Sequence, residues 1–208
     1  MRRSQIAPGV HLSYDAAQKF NRCRISIHFA FPARRETATA HALLPLVMER
    51  GYADCPDMTQ MTKKLARLYG AALSVDGTMS GQSRVLTVSL SGIRDAFALA
   101  GEPLSREYAD IAFGTAFEPY RVDGVLDAEA VAIEKEQLRE LLEGEINEKR
   151  SYCIRQARRR FYGDSPAGIE RNGYLDEVDG LTADAVTRAY ARMVEQAQIE
   201  VFVLGADV

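Results

Sequence analysis

TATAHALLPLVMERGY (residues 37–52), DCPDMTQMTKKLARLYGAALSV (54–75) and DGTMSGQSRVLTVSLSG (76–92) follow one another with short breaks, and their patterns decide the fold. The first is apolar nearly all round, with Ala38, Ala40, Ala42, Leu43, Leu44, Leu46, Val47 and Met48. That composition predicts a helix buried on several sides. Pro45 lies in its interior, where the missing N–H costs about 3 kcal/mol unless a kink absorbs it. Gly51 reads as the C-cap. Pro56 and Asp57, with Gln60 three residues on, open a second helix. Met58, Met61, Leu65 and Leu68 form its inward stripe, Lys63, Lys64 and Arg67 face water, and Gly70 closes it. Ala71–Val75 and Arg84–Leu90 then read as strands joined by the turn residues DGTMSG.

Working outward, Val10–Tyr14 and Arg22–Phe31 read as two more strands. In the second, Cys23, Ile25, Ile27, Phe29 and Phe31 alternate with Arg24, Ser26, His28 and Ala30, so one face is buried. Asp15–Asn21 is long enough for a loose hairpin between the two, and Pro32 ends the second strand because it cannot donate to a ladder. Ile93–Phe117 reads as helical with a break near Gly101–Pro103. From Asp127 to Glu148 eight acids face two bases, and from Lys149 to Arg160 six bases meet no acid. Such blocks are solvated helix faces whose order suits the helix dipole, with Gly144 as a kink or a join. Thr182 caps a helix reaching about Glu195, and a last strand covers Ile199–Leu204. The sum is an α+β chain: one mainly antiparallel sheet covered by helices. Without repeats or low-complexity linkers, residues 1–208 read as a single domain.

The 208 residues are 47% hydrophobic, and the net charge of −3 leaves no basic field for nucleic acid or an anionic membrane. Cys23, Cys55 and Cys153 lie far apart and form no C-x-x-C pair, which argues against a disulfide framework and a zinc ribbon and fits a reduced, cytoplasmic compartment. The basic start, MRRSQIAPGVHLSY, has no apolar run of signal-peptide length behind it, and no stretch predicts a membrane span. His41 has no second ligand at helical spacing, and His11 and His28 belong to no ligand pattern. Cys55 reads as an ordinary thiol, and the Arg155, Arg158, Arg159, Arg160 cluster as a solvated helix end. Glycines 70, 77, 81 and 92 make no phosphate loop.

Taken in order, these fragments resemble one half of a peptidase of the M16 (insulinase, or mitochondrial-processing-peptidase-like) family. The resemblance rests on the opening strands, the buried helix ending in Arg50-Gly51, Leu68-Tyr69-Gly70-Ala71 and SGQSRVLTVSL. It continues through Ile133-Glu134-Lys135, Asn147-Glu148-Lys149 to Tyr152, FYGDSP, GYLDEVDGLTADAV and Leu204-Gly205. It implies a LuxS/MPP-like metallohydrolase half, closest to the bacterial branch that lacks the zinc motif, and the N-terminal half of a two-half protein. Active members carry H-x-x-E-H on the buried helix: two histidines four apart hold Zn²⁺ and the glutamate is the general base. Matching Gly51 to the glycine after the motif puts Ala42, Pro45 and Leu46 at those three positions. Starting from His41 instead gives Leu44 as base and Pro45 as second ligand. On the later helix Leu141 falls where a metal-binding glutamate belongs, flanked by Glu136 and Glu140.

The resemblance therefore implies a fold without independent activity: no catalytic residue, no metal ligand and no cofactor. The expected role is a non-catalytic domain that pairs with a second M16-like half, or a zinc-bearing M16 subunit, to enclose and process unfolded peptide. In the family, peptide adds as a strand beside the strand after the second helix, here Ala71, Ala72, Leu73, Ser74 and Val75. That segment is otherwise an interior strand. Two further readings stay open: an active zinc peptidase with ligands outside the usual motif, and a purely structural assembly subunit.

Overall fold

The computed structural model describes residues 1–16 and 19–206. Eight strands and seven α-helices are found there: β1 (Arg2–Ala7), β2 (Val10–Asp15), β3 (Arg22–Pro32), α1 (Ala38–Glu49), α2 (Met58–Arg67), β4 (Ala72–Ser80), β5 (Ser83–Ile93), α3 (Leu104–Phe117), β6 (Arg121–Val122), β7 (Val125–Leu126), α4 (Ala128–Gly144), α5 (Lys149–Tyr162), α6 (Leu175–Val178), α7 (Ala183–Gln196) and β8 (Gln198–Leu204). Six of the strands form one sheet in the order β1-β2-β8-β3-β5-β4, while β6 and β7 pair separately. Only β2–β8 is parallel within the six-stranded sheet. The expected mainly antiparallel α+β architecture is present.

The period-two pattern of β3 predicts its buried face correctly. Ile25, Ile27, Phe29 and Phe31 are buried, and they meet Leu86, Val88 and Leu90 of β5 and Ile199 and Val201 of β8 on that face. Helix α3 packs on β3 and β5, α7 on β3, and α1 on β4. The opposite face carries a polar row at one level of the register: His11, Glu200, His28, Thr87 and Asp76 lie directly across from one another. Cross-strand partners in direct register point to the same side of a sheet.

Helix α1 has α4 and α7 against it as well as β4, which is why it needs apolar residues all round. Ala38, Thr39, Ala40, His41, Leu43, Leu44, Pro45, Val47 and Met48 are all buried. Caps are where the sequence expects them. Asp57 accepts from the Gln60 amide at 2.8 Å, and the Gln60 side chain returns the bond at 2.6 Å. Thr182 accepts from the Ala185 amide at 3.2 Å.

Several expectations are corrected. Strands β2 and β3 form no hairpin; β8 lies between them, because pairing to a strand some 180 residues away is invisible to local pattern. β1 has an all-exposed pattern, so its residues carry no amphipathic signal. DGTMS is strand, and the turn is Gly81-Gln82, where Gly81 has φ +60° and suits a type II′ hairpin. Ile93–Pro103 is not α-helical: it is the end of β5, a short 3-10 turn at Asp95–Phe97 and a connector, before α3 starts after Pro103. Met58 is exposed, and Lys64 is drawn inward to donate to the Tyr52 hydroxyl at 2.7 Å. Gly51 is not a left-handed cap; its missing side chain makes room for the Cys55 and Pro56 backbone. Gly144 is the expected join rather than a kink: it ends α4, the basic block lies on α5, and no single dipole spans the two blocks.

Gly92 shows how tightly the layers meet, since a methyl group there would overlap the ring and hydroxyl of the fully buried Tyr108 on α3. Gly92→Ala should therefore destabilise the fold by about 1–3 kcal/mol, read from the urea unfolding midpoint.

Candidate functional site

A cavity of about 280 Å³ opens between α1, the β4 edge, α4 and the segment before α6. Its wall includes Ala42, Pro45 and Leu46 from α1 and Leu141 from α4, so the four positions singled out in the sequence converge in space. None of the four side chains carries a lone-pair donor or a titratable group. These residues do not fit a zinc ion, whose protein ligands are imidazole, thiolate and carboxylate. Glu136 and Glu140, which flank the Leu141 position, are both exposed and take no part in the wall. Among the described residues no group of three or more His, Cys, Asp or Glu side chains is placed to hold a metal.

The strand reading of 71–75 is resolved in geometry. β4 pairs with β5 alone and is the edge of the sheet. Ala71 precedes the strand and donates its backbone N–H back to Leu65 and Leu68, while Ala72 through Val75 lie in it. The Glu49 carboxyl at the end of α1 engages the Val75 backbone, so that residue's polar groups point away from β5. In an antiparallel ladder the neighbours two positions away, Leu73 and Gly77, share that outward direction. Burial pushes the Glu49 carboxyl upward, the Val75 bond opposes this, and the charges of Asp76 and Glu134 add to it.

The structure also shows residues that the sequence reading passed over. Arg84 reaches the same cavity from β5 and is 3% exposed. It shares strand parity with Leu86, Val88 and Leu90, so an arginine on the apolar face was the available signal. Its Nη2 donates to the Arg171 carbonyl at 2.6 Å and its Nη1 to the Ala38 carbonyl at 3.3 Å, whereas Nε has no partner. Burial, with the like charge of Arg171, lowers its pKa to about 10. Gln137, Arg171 and Asn172 complete the polar part of the wall, and Asp76 borders it from a strand position whose side chain belongs to the opposite face. Segment 171–174 is strapped to α1: the Tyr174 amide donates to the Thr39 hydroxyl at 3.1 Å, and the Arg35 guanidinium lies 3.4 Å over the Tyr174 ring.

The remaining candidates do not line the cavity. His41 is buried against α7 and β3, donating from Nε2 to the Ala189 carbonyl at 3.2 Å and meeting the Phe31 ring edge-on. Burial, then the charge of Arg84, lowers its pKa to about 4. His28 rests on Thr87 and Ser26 at 2.9 and 3.1 Å, and His11 lies 3.4 Å from Glu200, both on the polar sheet face. Cys55 is buried and its thiol is pushed up by desolvation, which suppresses the reactive thiolate. In the arginine cluster Arg155 pairs with Glu145 and Arg158 donates to the Ala167 carbonyl.

Comparison with known proteins gives the following. No family model matches the chain. It is 24% identical over 188 residues to a Bacillus subtilis protein called "Probable inactive metalloprotease YmfF", covering 90% of this chain and 44% of that protein. A crystal structure of a conserved protein from Enterococcus faecalis superposes over the whole chain with a TM-score of 0.92 at 25% identity, matching 48% of its length. A peptidase M16 inactive domain from Pseudomonas fluorescens superposes over the whole chain with a TM-score of 0.76 at 16% identity, matching 46% of its length. The chain thus spans less than half the length of these relatives.

Two measurements test this site. If the four convergent positions are former ligand positions, the combined substitutions Ala42→His, Pro45→Glu, Leu46→His and Leu141→Glu should create a chain that retains near-stoichiometric zinc through desalting. Equal metal content in variant and parent would refute the register. For His41 the folded pKa lies below the unfolded one, so the unfolded chain takes up the proton first. The associated stability is present above the ordinary histidine range and is lost as pH falls towards 4. In denaturant titrations, the stability advantage over His41→Gln should shrink by about 3 kcal/mol between about pH 7.5 and about pH 4.

Proposed function

We propose that this chain, which matches a half-domain of the M16 peptidase family, is a non-catalytic member of that group and holds extended peptide for a partner to cut. The observation that carries this reading is the coincidence of two features in one place. Apolar, ligand-free residues at the four positions that the resemblance singles out line one cavity, and the edge strand of the sheet borders the same cavity. The name of the Bacillus subtilis relative, an inactive metalloprotease, supports the first part.

In this reading the chain is the N-terminal half of a protein about twice as long. It packs against a second M16-like half or a zinc-bearing M16 subunit. Coverage of 44% and 48% of the relatives' lengths supports the half-length assignment. The three free cysteines support a cytoplasmic setting, and no described helix is long and apolar enough to cross a membrane.

Peptide would be held by backbone pairing to β4 between Ala72 and Gly77, a mode that needs few particular side chains and suits varied unfolded substrates. Hydrogen exchange tests it directly. An unfolded peptide should slow exchange at the outward amides of Leu73 and Gly77, the Val75 amide being held by Glu49, and alternate N-methylation of the peptide should weaken binding at least tenfold. Binding without any change along β4 would move the peptide to another surface, and cleavage by the purified chain would refute the non-catalytic assignment.

A further inference from the structure

We propose that the cavity between α1, β4 and α4 is a carboxylate-binding pocket whose cation is Arg84. The carboxylate would belong to the peptide held along β4, either its C-terminal group or an acidic side chain. The source of the carboxylate rests on the edge-strand reading above; the pocket's preference for a carboxylate does not.

Three observations carry it. First, Arg84 is a buried charge without a counter-charge. At 3% exposure it makes two hydrogen bonds, both to neutral backbone carbonyls, and forms no ion pair within 4.0 Å among the described residues. A clamp between two carbonyls needs donors, not a charge, and burying an unpaired ion costs several kcal/mol. Second, the imbalance extends to the cavity. Arg171 adds a second positive charge to the wall, and the carboxylate of Asp76, which borders the cavity, belongs to the opposite face of the sheet. Gln137 supplies an amide beside them, whereas the Asn172 amide donates to Glu145 at 2.8 Å. Third, the guanidinium is placed beside the proposed peptide track. A methyl group on Gly77 would touch both Arg84 Nη2 and the Pro45 ring at 3.5 Å, so the charge lies between the degenerate helix and the edge strand.

A carboxylate suits this arrangement better than a dianion. One guanidinium nitrogen, Nε, is left without a partner, which leaves donor capacity for a single carboxylate. Charge-assisted hydrogen bonds to a carboxylate are about twice as strong as neutral ones, and Ala42, Pro45, Leu46 and Val75 give one part of the wall an apolar surface.

The test uses the full chain and three N-acetylated peptides of one extended, uncharged sequence. The first ends in an amide, the second in a free carboxylate, and the third in an amide with one central glutamate. At least tenfold tighter binding of the second or third over the first is expected, and the tighter of the two identifies the source. Equal affinity for all three overturns the carboxylate pocket and leaves the edge-strand reading standing. If none binds, the edge-strand reading falls, and titration with butyrate decides the pocket alone. A saturable shift of the Arg84 Nε–H resonance supports it, and no shift overturns it. Because Arg84→Gln loses the ties to Ala38 and Arg171 and risks unfolding, Leu46→Glu is the companion variant. It keeps Arg84 and puts a carboxylate into the same cavity, so the discrimination among peptides should vanish; undiminished discrimination overturns the proposal.

Discussion

Burial of α1 is the constraint on which the rest of this structure turns. A helix with the sheet on one side and α4 and α7 on others can offer no polar face, and its buried residues run from Ala38 to Met48 almost without a gap. Removing some 25 cal/mol of free energy per Å² of apolar surface from water makes such a helix the anchor of the fold. It also limits what the helix can carry. A catalytic metal centre needs imidazole and carboxylate groups aimed into this interior, held by second partners, at a cost in desolvation that only coordination offsets. With Ala42, Pro45, Leu46 and Leu141 at the convergence point, that cost is absent and the helix is free to pack as an ordinary core element. Pro45 fits the same logic: its ring lies against Gly77 on the edge strand, so packing recovers part of what the missing backbone bond loses.

Much of this was readable in the sequence wherever the deciding interaction is local. The alternation in β3, the Asp57 capping box, the Thr182 cap and the all-round apolarity of α1 each involve residues a few positions apart. Failures follow the opposite rule. The insertion of β8 between β2 and β3 depends on a pairing across nearly the whole chain. Met58 and Lys64 exchange their expected environments because Tyr52, twelve residues before Lys64, supplies a hydroxyl that periodicity cannot announce. DGTMSG looked like a turn because of its composition, yet only Gly81 adopts the left-handed conformation, and Gly77 is an ordinary strand residue beside Pro45 and Arg84.

The candidate site divides in the same way. Its helix positions and its strand were singled out by the family resemblance, aligned on Gly51 and on the strand after the second helix. What could not be read was that Arg84, Arg171 and Asn172 close the wall, since segment 171–174 is brought to α1 by distant partners: Arg84, Thr39 and Arg35. Arg84 was nonetheless visible in principle as a charged residue on the apolar parity of β5.

The place of β8 has a bearing on how the chain acquires its form. During synthesis β2 and β3 emerge early, but each has an open flank until residues 198–204 arrive to fill the space between them. Closure of a loop that long is slow compared with local hairpin formation. A nascent chain halted before β8 would carry two unsatisfied strand flanks beside the apolar face of β3, which is the kind of surface that seeds aggregation. The sheet is thus sealed by its latest-made strand, and a chaperone's interval of service on this protein would extend until that strand is in place.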